Sequence, residues 1–156
     1  MKQVFLSGLM ALCFCACQEE PAKPSQNLPV PQTFEKSYVD THNGYSEAVV
    51  ITSGNLKTIY VSGQIGEGAD LDAQMRDALS KMERLLKGSG ADMKDVIKMN
   101  TYIVDYGPQS LEVFRSVRKE LLGDSDMPAS TLVGVEALAL PEWLIEIEAV
   151  AVVQIQ

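Results

Sequence analysis

Two helical stripes set among strand-like runs limit the fold of this chain more than any other feature of its sequence. Residues 71–86 carry apolar side chains at spacings of three and four, which is the period of a helix with one buried face. Residues 111–121 repeat this spacing. The other apolar segments have strand-like composition and lie at residues 48–52, 58–65, 96–104, 130–135 and 143–153. The order β-β-α-β-α-β-β predicts an α+β fold, a two-layer sandwich in which helices cover one face of a sheet.

Residues at the ends of these segments support the same order. Asp70 is suited to cap the first helix, because its side chain accepts hydrogen bonds from the first turn. Pro108 fits the first position of the second helix, and Gly123 fits its end. Residues 53–55, with the sequence Ser-Gly-Asn, predict a turn that joins the first two strands as a hairpin.

The start of the chain differs in composition from the rest. After Lys2, residues 4–16 carry no charge. This length suits the hydrophobic core of a signal peptide, whereas a transmembrane helix needs about 20 apolar residues. The Ala-Cys pair that ends at Cys17 resembles a bacterial lipobox, in which a peptidase cuts before the cysteine and its sulfur carries diacylglycerol. Phe14 stands where such a motif usually has leucine. We predict a lipoprotein signal peptide over residues 1–16 and lipidation of Cys17; a plain secretory signal with incidental cysteines is the alternative.

Residues 17–36 form a predicted tether, which begins at the lipidated cysteine and holds four of the seven prolines of the chain. Proline fixes one backbone dihedral and removes a hydrogen-bond donor, so such a segment stays extended. Residues 37–156 are then the folded domain, attached to a membrane through the lipid alone. We expect the protein in the cell envelope, facing the periplasm, and Gln18 after the cysteine favours the outer membrane over the inner one.

Charge and residue counts argue against several classes of function. The net charge of −8 disfavours nucleic acid as a partner, since phosphate binding needs clustered lysine and arginine. All three cysteines precede Gln18, and His42 is the single histidine, which argues against a zinc site. His42 also precedes the first predicted strand, so we expect it in a surface loop. Phosphate-binding glycine motifs are absent, and we expect a small-molecule ligand with no metal and no other cofactor.

Two carboxylates stand out in the last strand-like run. Glu146 and Glu148 interrupt an otherwise apolar segment, and strand alternation puts both on one face of the sheet. Burying two unpaired acids is unfavourable. The pair therefore lines a polar cleft, binds cations or faces solvent, and the spacing alone leaves a site and simple exposure equally open.

Five short motifs occur in a fixed order along the chain. They are YSEA at residues 45–48, IYVSGQI at 59–65, VIKMN at 96–100, MPA at 127–129 and IEIEAVA at 145–151. By their order and spacing, the chain resembles the RidA/YjgF family, often labelled L-PSP endoribonuclease, over about residues 38–154. The resemblance implies a chorismate-mutase-like fold and a homotrimer with three clefts between subunits. It also implies hydrolysis of reactive imines and enamines to ketoacids and ammonia, the reaction of the best-known members.

The resemblance implies a role for each matching residue. Glu146 would hold or activate the attacking water, and Tyr45 would pack against the substrate. Ser62 and Gly63 would border the cleft, and Asn100 would line it. The chemistry is reasonable, because a positioned carboxylate can orient water against an electrophilic C=N carbon. Without the resemblance, the residues themselves favour ordinary structural roles.

One position departs from the family pattern. The deaminase members carry an arginine two residues after the proline of the MPA motif, and here the residue two after Pro128 is Ser130. That arginine pairs with the substrate carboxylate, and serine cannot replace its two parallel hydrogen bonds. We keep Ser130 among the expected substrate-binding residues. Arg115, Arg118 and Lys98 are alternative cations, which the sequence alone does not place in the cleft.

The sequence leaves three candidate functions open. The first is an enamine or imine deaminase acting in a cleft between subunits, which the presence of Glu146 favours. The second is a non-catalytic, small-molecule-binding trimer of the cell envelope, which Ser130 favours. The third is the ribonuclease of the older family label, which the predicted export and the acidic charge disfavour.

Overall fold

The computed structural model describes residues 33–123 and 126–155. The predicted signal peptide over residues 1–16, the lipidation site at Cys17 and the tether as far as residue 32 lie outside these ranges, so they stay predictions. Within the described ranges, no helix combines the length and the apolar character needed to cross a bilayer.

The described residues form six strands, two α-helices and one short 3₁₀ segment at Met93–Asp95. The strands are β1 (Phe34–Thr41), β2 (Ser46–Ser53), β3 (Leu56–Ile65), β4 (Val96–Val104), β5 (Ala129–Val135) and β6 (Ile145–Gln154), and the helices are α1 (Leu71–Gly88) and α2 (Pro108–Leu122). They make one sheet in the order β1-β2-β3-β6-β4-β5. Only the pairing of β4 with β5 is parallel.

Both helices pack on one face of the sheet, which we call the helix-covered face. Helix α1 contacts β3, β6 and α2, and buried side chains of both helices join the strand residues in one core cluster. The core side chains that are fully enclosed include Ile59, Met75, Met82, Leu86, Ile103, Ile145 and Ile147. The opposite side of the sheet has no helix among the described elements, and we call it the open face. The α+β two-layer prediction is confirmed.

The ends of the helices follow the sequence signals. The Asp70 carboxylate accepts a hydrogen bond from the backbone amide of Ala73 at 2.9 Å, which caps α1. Pro108 is the first residue of α2, and Gly123 ends that helix with a φ of +75°, a conformation that favours glycine.

Strand β1 is absent from the predicted element order, which it extends by one strand. Its sequence, FEKSYVDT, lacks an apolar alternation because β1 lies at the edge of the sheet, pairs only with β2 and is exposed along most of its length. The strand begins at Phe34, so the predicted end of the tether at Lys36 falls inside the sheet.

Strict alternation of side chains fails at one residue of β4. Alternation puts Ile97 on the same side as the buried Met99, but the Ile97 side chain is 53% exposed. The pairing of β4 with β6 shifts register between Val96 and Lys98, and such an irregularity changes the direction of the residue it contains.

Candidate functional site

The two glutamates of β6 lie together on the open face of the sheet. The residues on either side of them are buried against the helices, so alternation turns Glu146 and Glu148 to the other side. The buried neighbours are Ile145, Ile147 and Ala149. The structure thus has the paired orientation that the sequence predicts, and the two carboxylates differ in what they contact.

Glu148 is held by two residues of β4. The side-chain amide of Asn100 donates a hydrogen bond to Glu148 Oε1 at 2.6 Å, and the Tyr102 hydroxyl donates to the same oxygen at 3.3 Å. Burial raises the pKa of Tyr102, and the Glu148 charge raises it further, so the hydroxyl keeps its proton. Glu148 is therefore a fixed acceptor, and Asn100 positions it.

Glu146 has a different environment. Its carboxylate makes no side-chain hydrogen bond and no salt bridge to any residue that the structure describes. Burial raises its pKa, and the nearby charge of Glu148 raises it further. A partly buried carboxylate with a raised pKa and no protein partner is suited to take a proton from a ligand or a water.

Gly63 makes room for the Glu146 side chain. A β-carbon at this position would overlap the Glu146 carboxylate, so any other residue here would force that carboxylate to move. The pairing of β3 with β6 shifts register between Val61 and Gln64, which brings Gly63 next to the glutamate. Gly63 of β3 and Glu146 of β6 thus form one structural unit.

A depression of about 310 Å³ lies beside this unit on the open face. Ser62, Lys98, Asn100 and Glu148 supply its polar lining. The Ser62 hydroxyl donates to the backbone carbonyl of Ser46 at 2.6 Å, so this hydroxyl fixes the start of β2.

Tyr45 borders a neighbouring depression of about 520 Å³, which also reaches Ser62. Its ring lies 4.9 Å from the ring of His42, which occupies the exposed loop between β1 and β2, as predicted. Both side chains point to Glu47: His42 Nε2 lies 2.9 Å from Glu47 Oε1, and the Tyr45 hydroxyl donates to that oxygen at 3.4 Å. Gln64, which is buried, donates to Glu47 Oε2 at 2.9 Å.

Sequence reasoning did not identify Glu47 or Gln64 as members of this cluster. The sequence signal that could have identified the cluster is the glutamine inside the apolar strand motif. This glutamine is buried in the structure, and a buried amide needs a fixed partner. The cluster fixes the loop that carries Tyr45 against the start of β2.

Ser130 lies apart from these residues. The adjacent Thr131 accepts a hydrogen bond from Lys98 at 2.7 Å and so belongs to the open face. Alternation then turns Ser130 to the other side, where it lines a cavity beside α2 together with Leu132. The predicted site residues therefore form two groups, with Ser130 separate from a group that contains Tyr45, Ser62, Gly63, Asn100 and Glu146.

No group of three or more histidine, cysteine, aspartate or glutamate side chains within residues 33–123 and 126–155 is placed to hold a metal ion. The open-face group offers a partnered carboxylate, Glu148, which lines a small depression, and a second carboxylate, Glu146, which lies next to Gly63 and has no side-chain partner among the described residues. Such an arrangement can orient a water and exchange a proton with it.

Together, the fold and the site define a small α+β domain with a polar, acidic site on the open face of a mixed sheet. The chain belongs to the family described as Endoribonuclease L-PSP, also called RidA/YjgF, whose model matches residues 35–153.

Two curated relatives carry the name 2-iminobutanoate/2-iminopropanoate deaminase. The protein from Dermatophagoides farinae is 32% identical over 118 residues, which cover 70% of this chain and 86% of the relative. The protein from Homo sapiens is 31% identical over 119 residues, which cover 69% of this chain and 79% of the relative.

Solved structures agree with this assignment. A member of the YjgF/YER057c/UK114 family from Mycobacterium tuberculosis is 34% identical, with a TM-score of 0.66, and the match covers 76% of this chain and all of that chain (100%). A YjgF-family protein from Neisseria meningitidis is 28% identical, with a TM-score of 0.67, and the match covers 78% of this chain and 98% of that chain.

Proposed function

We propose that this protein is a deaminase that hydrolyses the C=N bond of a reactive imine, or of the imine form of an enamine, with Glu146 as the proton-transfer group. The observation that carries the proposal is the state of this carboxylate. It lies partly buried beside Gly63, and its pKa is raised by burial and by Glu148. No described side chain forms a hydrogen bond or a salt bridge with it. A structural carboxylate would be expected to have hydrogen-bond partners, as Glu148 has.

The names of the relatives point to the same chemistry. The proteins from Dermatophagoides farinae and Homo sapiens are named for the deamination of 2-iminobutanoate and 2-iminopropanoate. We carry over the class of reaction, hydrolysis of an imine, and treat the side chain of the substrate as open.

The proposed reaction has two proton transfers. A water oxygen adds to the imine carbon while Glu146 takes a proton from the water and passes it to the nitrogen, which gives a carbinolamine. The same carboxylate then carries the hydroxyl proton to the nitrogen as the C–N bond breaks, so ammonia leaves and a carbonyl remains. One water is consumed for each imine, and Glu146 returns to its starting state. A raised pKa suits both steps, because the group must take and give back a proton.

We also propose that the working site lies between two copies of the chain in a homotrimer. Ser130 and Glu146 face opposite sides of one sheet, so a single small ligand can contact both only if they come from different copies. Tyr60, on the open face, is 47% exposed, which is consistent with a further layer covering that face.

The test of the activity is ketoacid release from freshly generated 2-iminobutanoate, with the rate in buffer alone subtracted. Release above that rate supports the deaminase. A silent wild-type protein together with an active Ser130→Arg variant would mean an intact cleft for a different ligand. If both proteins are silent, the alternative stands: a non-catalytic small-molecule-binding trimer of the cell envelope, which the serine at this position favours.

A further inference from the structure

The cavity that contains Ser130 carries an unusual set of charges. Its volume is about 400 Å³, and it lies between the start of β5 and helix α2. Three basic side chains of α2 line it, at positions 115, 118 and 119, where a spacing of three and four places them on one side of the helix. None of the described residues that line this α2 cavity is acidic.

Two of these cations are not neutralised within the described part of the chain. Arg115 and Arg118 form no salt bridge and no side-chain hydrogen bond to any described residue, whereas Arg76 on α1 is paired with both Asp72 and Glu120. The whole chain carries a net charge of −8, so acidic partners are plentiful elsewhere. The α2 cavity is thus a local positive site in an acidic protein, which attracts small anions.

Of the two arginines, Arg118 is the better placed to bind an anion in this cavity. Its guanidinium carbon lies 5.7 Å from the centre of the Phe114 ring, and this stacking restricts the side chain. Its Nε atom is buried and has no hydrogen-bond acceptor among the described residues. A buried donor without an acceptor is unfavourable, and a small shift that lets an anion reach this edge of the guanidinium would satisfy it.

We infer that the α2 cavity is a carboxylate-binding subsite in which Arg118, assisted by Arg115, holds the acid group of a 2-imino or 2-oxo acid. The guanidinium presents two parallel N–H groups, which match the two oxygens of a carboxylate. The inference rests on the proposed function for the identity of the ligand. It makes Arg118 a specificity-determining residue, placed on a helix beside the serine of β5.

Direct binding tests the subsite without relying on turnover. The probe is 2-oxobutanoate, the stable acid that hydrolysis of 2-iminobutanoate would leave, and its Kd is measured by titration against the full chain. Arg118→Gln should raise this Kd at least tenfold, since one charge-assisted pair accounts for a factor of that order. Arg118→Lys keeps the charge but loses the planar guanidinium, so its Kd should lie between that of the wild-type protein and that of Arg118→Gln.

Two matched controls separate the subsite from a general effect of charge. Arg84→Gln removes the same charge from an exposed position of α1 outside the cavity, and we expect its Kd to stay within twofold of wild type. Butan-2-one has a neutral methyl group in place of the carboxylate, and its binding should not respond to Arg118→Gln. Thermal unfolding of each variant shows whether it folds, and if Arg118→Gln does not, Arg118→Lys supplies the comparison.

The results also separate this subsite from the proposed reaction. Binding of 2-oxobutanoate that depends on Arg118, in a protein without ketoacid release, would leave the subsite standing and reject the deaminase. Ketoacid release combined with a Kd that no Arg118 variant changes would reject the subsite and leave the deaminase standing. Failure of the wild-type chain to bind 2-oxobutanoate would also overturn the subsite.

Discussion

At the residue scale, Gly63 and Glu146 belong to different strands but share one volume. The register shift in β3 brings the glycine against the carboxylate, and the missing β-carbon leaves the space that the carboxylate fills. Alternation along the sequence indicated the face of Glu146, but it gave no sign of this contact. Pairing between distant strands creates it, and a one-residue shift in pairing cannot be read from either strand alone.

The first prediction concerns this contact. Gly63→Ala should lower kcat/KM for imine hydrolysis about a hundredfold, because the added methyl group displaces the Glu146 carboxylate by roughly the 1 Å that costs such a factor in a positioned catalytic group. The measurement is the initial rate of ketoacid release. Gly88→Ala is the matched control, since a β-carbon there meets no atom within 4 Å. Equal loss in both variants would mean that the effect of Gly63→Ala is not local.

At the element scale, the helices and the strands differ in how well the sequence specifies them. Both helices begin at the residues that their caps predict, and α2 ends at the predicted glycine, because capping is a local interaction. Strand β1 lies outside the prediction because an exposed edge strand needs no apolar pattern. The alternation along β5 separates Ser130 from Thr131, but only the packed structure shows which of the two faces α2.

The second prediction concerns the start of α1. Asp70→Ala should reduce the free energy of unfolding by about 1 kcal/mol, because the amide of Ala73 loses its side-chain acceptor. Urea unfolding followed by circular dichroism measures the change. Glu112→Ala also removes a carboxylate, from an exposed position of α2 with no side-chain hydrogen bond among the described residues, and it should change the same quantity by less than about 0.5 kcal/mol. A cap that contributes nothing would make the two variants equal.

At the scale of the whole molecule, the chain combines an acidic surface, an open sheet face and a local positive cavity. The proposed homotrimer would account for the second feature, because it would cover the open face and would bring Ser130 of one copy toward Glu146 of another. The predicted lipid anchor would add high local concentration at a membrane surface, which favours assembly.

The third prediction concerns that anchor. Cells that express the full chain and are grown with labelled palmitate should incorporate the label into the wild-type protein and into Cys15→Ser. Cys17→Ser should lose it, because serine has no sulfur to carry the diacylglycerol. Label retained in Cys17→Ser, or absent from the wild-type protein, would contradict lipidation at this cysteine.

The central claim is that Glu146 performs the proton transfer, and its most direct test is the pH dependence of kcat/KM for ketoacid release from 2-iminobutanoate. The pKa of Glu146 lies above the ordinary value of a glutamate, and the reaction needs the ionised form. The wild-type rate should therefore fall as pH drops through this raised pKa. Glu146→Gln should lose about 10²–10⁴-fold at neutral pH and show no such fall, while the exposed Glu136→Gln keeps the wild-type profile. A Glu146→Gln variant with the rate and the pH profile of the wild-type protein would contradict the account.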